Sequence, residues 1–135
     1  MHRCKEVLEA VFSQDPRNWP LDEVWASILP QWFVAECAPE ITQKEAEEHL
    51  REVQRLPYGE RQRLEIDEDA HAKWSGLNTI YWLKPQERSW WWWDGACEDE
   101  NTIRVAVAID GWPYASGALR WILRASGATS AESEV

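Results

Sequence analysis

The chain has 135 residues, and its 24 acidic side chains outnumber the 14 basic ones, so its formal net charge at pH 7 is -10. This length predicts one domain that is large enough to bury a core, and the acidic excess disfavours binding to nucleic acid or to anionic lipid. No run approaches the roughly 18 consecutive apolar residues of a membrane-spanning helix, so we expect no membrane insertion.

The cysteines and the N-terminus indicate the compartment. Cys4, Cys37 and Cys97 are odd in number and widely spaced, without a C-x-x-C pair, so we expect three free thiols. The N-terminal residues lack the apolar segment of a secretory signal. Because free thiols suit a reducing compartment, the expected location is the cytoplasm, with no cofactor and no bound metal.

Hydrophobic periodicity predicts two helices in the first 30 residues. Apolar side chains recur at helical spacing over residues 4–12, and the Asp15-Pro16 pair ends the pattern because proline disfavours a helical residue before it. A second helix is predicted within residues 20–30, with Trp25 in the core. Residues 31–38 are apolar without a clear period, so a continued helix and a packed connection both remain open.

A capping box predicts a third helix. Thr42 and Glu45 have the spacing at which each side chain satisfies the backbone of the other, and the helix is expected to reach about Leu56. Its apolar stripe is narrow and its other faces are charged, which is typical of a surface helix. Residues 36–69 hold eleven acidic and five basic side chains, a net charge of -6. This excess indicates either a solvated face or a surface that attracts a basic partner.

Alternation of apolar and polar residues predicts a sheet in the second half of the chain. Residues 63–67 are expected to form a short edge strand. Residues 77–83 and 88–93 are expected to form a hairpin around a four-residue loop that contains Pro85. A connection over residues 94–100 leads to residues 103–109, which show the clearest alternation and add a further strand to the meander, with Trp91 expected opposite Ile103.

A last helix completes the predicted domain. Pro113 can open it and Gly127 can end it, while residues 128–135 are expected to form a flexible tail. The predicted fold is α+β, a single domain over residues 1–127. Its N-terminal helices and its C-terminal helix pack on a three- to four-stranded antiparallel meander.

Four consecutive tryptophans, residues 90–93, suggest a binding surface. Side chains of a strand alternate between faces, so two tryptophans must point each way. We expect Trp91 to face the core and the other face to form an aromatic platform with one cation, above the small residues Ala106 and Ala108. The predicted binding residues are Tyr81, Trp90, Trp92 and Arg104.

Two alternatives to the platform remain open. The first helices, with Trp25 and Trp32, can cover this face, and Arg104 can then stack on Trp90 inside the protein. A slip of one residue in the register exchanges the two faces. Under the platform hypothesis, Trp91→Ala should cost about 3 to 5 kcal/mol of stability and Trp90→Ala clearly less.

The sequence offers little support for catalysis. It contains no nucleophile-elbow, zinc-protease, P-loop or dinucleotide-binding motif, so we favour binding over an enzyme activity. His49 has acidic neighbours at helical spacing but supplies a single nitrogen, which is a poor metal site. Arg120 and Arg124 lie one turn apart and can pair with internal acids or face an anionic group on a partner. We favour internal pairing.

These features lead to two functional hypotheses. The first is an acidic protein that binds, and so neutralises or escorts, a basic partner protein, as small immunity proteins and secretion chaperones do; the analogy covers only size, charge and the lack of catalytic motifs. A homodimer is also compatible with the sequence. The alternative is a domain that binds a small ligand on the aromatic face of the sheet.

Overall fold

The computed structural model describes residues 1–111 and 114–132, and of residues 65–71 it describes only the helical backbone. The described chain contains seven α-helices, a short 3-10 helix and one two-stranded antiparallel sheet. The helices are α1 (His2–Phe12), α2 (Trp25–Ile28), α3 (Gln31–Glu36), α4 (Gln43–Gln54), α5 (Tyr58–His71), α6 (Gly76–Leu83) and α7 (Gly117–Ala125). The 3-10 helix is Asp22–Val24, and the strands are β1 (Trp90–Cys97) and β2 (Ile103–Ile109). The α+β class is therefore confirmed, whereas the three- to four-stranded meander is wrong.

The first three helices supply much of the core. The buried stripe of α1 is Cys4, Val7, Leu8 and Val11, the spacing that the sequence predicted. The predicted second helix is present as the 3-10 turn followed by α2, and Trp25 is buried. Residues 31–36 are helical after a break at Pro30, which settles the open alternative in favour of a helix whose Phe33 enters the core.

Helix α4 begins as predicted, because Thr42 Oγ1 accepts a hydrogen bond from the Glu45 backbone N–H at 3.1 Å.

The predicted strand at residues 63–67 is wrong, because these residues lie within α5. Five alternating residues are too few to distinguish a strand from the surface of a helix that has no strong apolar stripe.

The predicted strand at residues 77–83 is also wrong, since these residues form α6. The Ser75 side chain caps this helix by accepting a hydrogen bond from the Asn78 backbone N–H at 3.1 Å. Its buried residues are Thr79, Ile80 and Leu83, a spacing that suits a helix rather than a strand. Burial of these three side chains on one side of the helix outweighs the strand propensity of the run.

The sheet is a single hairpin whose turn is centred at residue 100, three residues later than predicted. Trp91 lies opposite Ala108 instead of the predicted Ile103. The turn falls at residues 98–102, where the Glu98 N–H donates to the Thr102 carbonyl at 2.9 Å. Residues 94–97 therefore belong to β1, and the pairing is interrupted by a bulge between Trp92 and Asp94.

The last helix closes the core. In α7, five side chains are buried: Ala118, Leu119, Trp121, Ile122 and Ala125. The chain then leaves the helix through Gly127, whose φ of 118° is easily adopted only by glycine, so the predicted stop is confirmed. Pro113, the predicted opening residue, lies outside the described residues. Helices α1, α2, α3, α6 and α7 surround the core, and the start of β1 inserts Trp90 among them.

Candidate binding surfaces

The four residues of the predicted platform do not share one surface. Trp90 is fully buried. Tyr81 lies on α6 instead of a strand, and its side chain is 44% exposed. Trp92 is half-buried, while Arg104 is exposed on β2 and pairs with Glu98. The two faces of β1 are therefore the reverse of those predicted, because the turn position was misjudged.

The position of Trp92 is explained by its contact with a glycine. A Cβ atom added to Gly95 would lie only 2.7 Å from Trp92 Cζ2 and 3.0 Å from Met1 Cε. The Trp92 ring therefore lies directly against the backbone of Gly95, below the start of α1. Only a residue without a side chain permits this approach.

The exposed face of the hairpin carries the other two tryptophans. Trp91 is 42% exposed and Trp93 is 78% exposed. Trp91 lies opposite Ala108, and Trp93 is the bulged residue before Asp94, which lies opposite Ala106. The hairpin therefore does have exposed aromatic rings beside small alanines, but the rings are those of Trp91 and Trp93 and not those of Trp90 and Trp92.

A second surface consists of α4 and α5 with their connection, residues 43–71, which we name the acidic helix pair. The chain leaves the core at Ala38 and returns at Ser75, where the Ala38 N–H donates to the Trp74 carbonyl at 2.9 Å. No residue of α4 is buried, and none of the described side chains of α5 is. Leu50, at the middle of the apolar stripe of α4, is 56% exposed.

An apolar groove of about 600 Å³ lies at the base of the acidic helix pair. Its walls come from three stretches that are distant in sequence, residues 22–29, 34–40 and 76–77. Three carboxylates border its apolar walls, those of Asp22, Glu23 and Glu40. The Glu40 carboxylate also accepts a hydrogen bond from the Leu77 backbone N–H at 3.1 Å, which ties the groove to the start of α6. Sequence periodicity could not identify this site, because no single element contains it.

Two of the three cysteine thiols, Cys4 and Cys37, are poorly suited to nucleophilic chemistry at neutral pH. Burial raises the pKa of the Cys4 thiol to about 11. Burial also raises the pKa of Cys37, which lines the groove, to about 11; the Trp121 indole N–H only partly opposes this effect. The thiolate is the reactive form, so both cysteines are mostly unreactive thiols. All three cysteines are free, as predicted, and Cys97 is exposed.

Arg124 contacts the backbone and an aromatic ring of the core. Its Nη1 donates to the Ala72 carbonyl at 2.9 Å, and its guanidinium lies 5.4 Å from the centre of the Trp121 ring. Among the described side chains, no group of three histidine, cysteine or acidic residues converges to hold a metal ion. None of the described helices combines the length and apolar character needed to cross a bilayer.

Comparisons with known proteins do not assign this chain to a family. No family model matches it, and neither the curated proteins nor the solved structures include a significant match. Its function must therefore be argued from its surfaces.

Proposed function

We propose that the chain is a non-catalytic binding protein whose acidic helix pair captures a basic, amphipathic helix of a partner protein. The observation that carries the proposal is the exposed apolar stripe of α4 within the most acidic part of the chain. A cationic helix with an apolar face matches both properties.

The charge of the surface determines the kind of partner. Residues 36–69 carry more than half of the net charge of -10. Within α4, ion pairing is modest: Arg51 lies 4.0 Å from Glu47, and both side chains are largely exposed. Such a field attracts a basic surface and speeds its association, and dissolved salt weakens the attraction.

The apolar stripe supplies the remaining attraction. Ala46 and Leu50 are exposed and Val53 is half-buried, although they occupy the face that a helix normally buries. Helices of this length draw most of their stability from tertiary packing. The core leaves the stripe on α4 exposed, so a partner helix can cover it and so stabilise α4.

The proposal can be tested with the full chain and a labelled peptide. The peptide carries leucine at helical spacing and lysine elsewhere, and a scrambled peptide of the same composition is the control for charge alone. Binding is measured by fluorescence anisotropy at low salt and at roughly 0.15 M salt, where the Debye length is about 8 Å. We expect tight binding of the amphipathic peptide, weaker binding of the scrambled peptide, and weakening of both by salt.

Matched variants locate the binding surface. Burying a leucine side chain contributes about 1.5–3 kcal/mol, so Leu50→Gln should lower the affinity at least tenfold. Leu21→Gln is the control, because Leu21 is 67% exposed but lies outside the acidic helix pair. Equal affinity for both peptides, or equal loss in both variants, would contradict the proposal.

The groove supports a second candidate function, the binding of a small organic cation with an apolar body. Its volume of about 600 Å³ is within the range of small-ligand sites, about 300–1,000 Å³. The carboxylates at its border would hold the cationic group. This candidate relocates the predicted ligand site from the sheet to the groove.

The cysteines provide a direct test of the groove. Cys37 lines it, whereas Cys97 is exposed elsewhere and serves as an internal reference. We expect (1-naphthylmethyl)trimethylammonium, whose charge does not depend on pH, to slow alkylation of Cys37 at alkaline pH without changing alkylation of Cys97, and the neutral 1-naphthylmethanol to have less effect. Unchanged alkylation of Cys37 at a saturating concentration of the cation would contradict the candidate.

A further inference from the structure

The sequence of β2 is nearly symmetric about its centre. Residues 103–109 read Ile-Arg-Val-Ala-Val-Ala-Ile, with Ala106 in the middle. If two copies pair antiparallel about a two-fold axis at Ala106, Val105 lies opposite the partner's Val107 and Ile103 lies opposite the partner's Ile109. We infer that the chain forms a symmetric dimer through its β2 strands, which joins two hairpins into one four-stranded sheet.

The outer edge of β2 suits such pairing. In the described residues the sheet has only two strands, so β2 pairs with β1 on one side alone. An unpaired edge presents backbone groups to any added strand, and a two-stranded sheet by itself has little stability. The strand β1 is a poorer edge, because a bulge interrupts it at Trp93. All seven residues of β2 pair with residues of β1, and the bulge lies on the β1 side.

A groove along β2 can receive the second strand. It has a volume of about 820 Å³ and is lined by residues of both faces of β2, by Leu119 and Leu123 of α7, and by residues within 114–116 and 128–132. Ile103, Val105 and Val107 are only half-buried in the single chain. Pairing would place the partner's copies of these side chains beside the two leucines, so apolar surface is buried on one face of the sheet.

The other face of the joined sheet also gains a contact. Arg104 would lie opposite the partner's Ala108, whose neighbour on the partner's first strand is the partner's Trp91. The small alanine leaves space for the guanidinium, which pairs with Glu98 in the single chain, to turn across toward the indole ring, which is 42% exposed there. Arginine over tryptophan is the most favourable kind of cation–π pair.

The dimer and the proposed partner binding should respond oppositely to salt. Each copy carries a net charge of -10, so the copies repel each other, and salt that screens this repulsion strengthens the dimer. Binding of a basic helix weakens in salt. The dimer forms through β2 and α7, which lie outside the acidic helix pair. The dimer and the binding of a basic helix can therefore each fail without the other.

Disulfide trapping tests the register. In a Cys97→Ser background, Ala106→Cys should form a cross-linked dimer under mild oxidation, because residues opposite each other across a two-fold axis have Cα atoms about 4.5–5.5 Å apart. Ala108→Cys is the matched control: its copies would be four residues apart, about 13 Å, too far for a disulfide. Both alanines are exposed in the single chain, so the substitutions should not disturb folding.

Sedimentation of the wild-type chain provides an independent measurement. We expect the dimer at high concentration, with its fraction rising as salt is added. Equal cross-linking of the two cysteine variants would contradict the register. A monomer at all salt and protein concentrations would contradict the dimer itself.

Discussion

The four consecutive tryptophans differ so much in exposure that their truncation tests the fold. Trp90 has no exposed surface, Trp91 is 42% exposed and Trp93 is 78% exposed. A fully buried aromatic side chain removes about 150–250 Å² from water, which contributes roughly 4–6 kcal/mol at about 25 cal/mol per Å². We expect Trp90→Ala to cost about 3–5 kcal/mol, Trp93→Ala about 1 kcal/mol or less, and Trp91→Ala an intermediate amount.

A conservative variant keeps the test informative even if Trp90→Ala prevents folding. None of the described residues accepts a hydrogen bond from the buried Trp90 indole N–H, and the ring packs edge-on against Phe12 at 6.2 Å between centroids. Trp90→Phe keeps an aromatic ring and removes the unsatisfied donor, so it should cost less than Trp90→Ala, about 1–2 kcal/mol.

The assay is urea unfolding followed by far-ultraviolet circular dichroism, which does not depend on tryptophan fluorescence. The urea concentration at the unfolding midpoint should fall most for Trp90→Ala, less for Trp91→Ala and least for Trp93→Ala. The dependence of the unfolding free energy on urea concentration should stay constant. A loss for Trp91→Ala or Trp93→Ala that equals the loss for Trp90→Ala would refute the assignment of the two faces.

Three further predictions concern glycines and thiols. Gly95→Ala places a Cβ atom 2.7 Å from the Trp92 ring and should lower the stability to thermal unfolding by about 1–3 kcal/mol. Gly59→Ala is the control and should cause no loss of stability, because Gly59 has open space around it. Equal melting temperatures of the two variants would contradict the contact between Gly95 and Trp92. Gly127→Ala forces a φ of 118° on alanine and should cost about 1 kcal/mol, and an unchanged urea midpoint would exclude this geometry. Burial raises the pKa of Cys4 and Cys37 from 9.0 to about 11, so the unfolded state releases these protons first and stability should fall between pH 9 and pH 11. The Cys4→Ala, Cys37→Ala double variant should show a smaller fall, and an identical fall would refute the cause.

Local sequence rules predicted the elements whose pattern is unambiguous. The stripe from Cys4 to Val11, the helix cap at Thr42 and the stop at Gly127 each depend on neighbouring residues, and all three appear in the structure. The alternation in residues 103–109 is long enough to exclude a helix, and β2 has these bounds.

The errors arose where short apolar runs fit two kinds of structure. Residues 77–83 are rich in β-prone residues, but the cap at Ser75 and the burial of Ile80 and Leu83 on one side make them a helix. The hairpin register depended on the choice of turn: Asp94-Gly95 resembles a turn in sequence, yet Gly95 is needed in β1 to accommodate the Trp92 ring. That requirement involves packing against Met1, which no local pattern reveals.

The candidate surfaces were only partly predictable for the same reason. The acidic excess of residues 36–69 and the narrow stripe of α4 are properties of one continuous stretch, so the sequence reveals them. The predicted platform failed because it required a correct pairing of distant strands. The groove brings together Trp25, Cys37 and Leu77 from three elements, and only the tertiary structure shows their proximity.

Amide hydrogen exchange of the full chain, with and without the amphipathic lysine–leucine peptide, tests the central claim most directly. Because α4 buries no side chain in the free protein, its amides should exchange rapidly, since exchange protection follows local stability. The account predicts that the peptide slows exchange throughout residues 43–54 and leaves α1 and α7 unchanged. Slowed exchange elsewhere, with no change in residues 43–54, would contradict it.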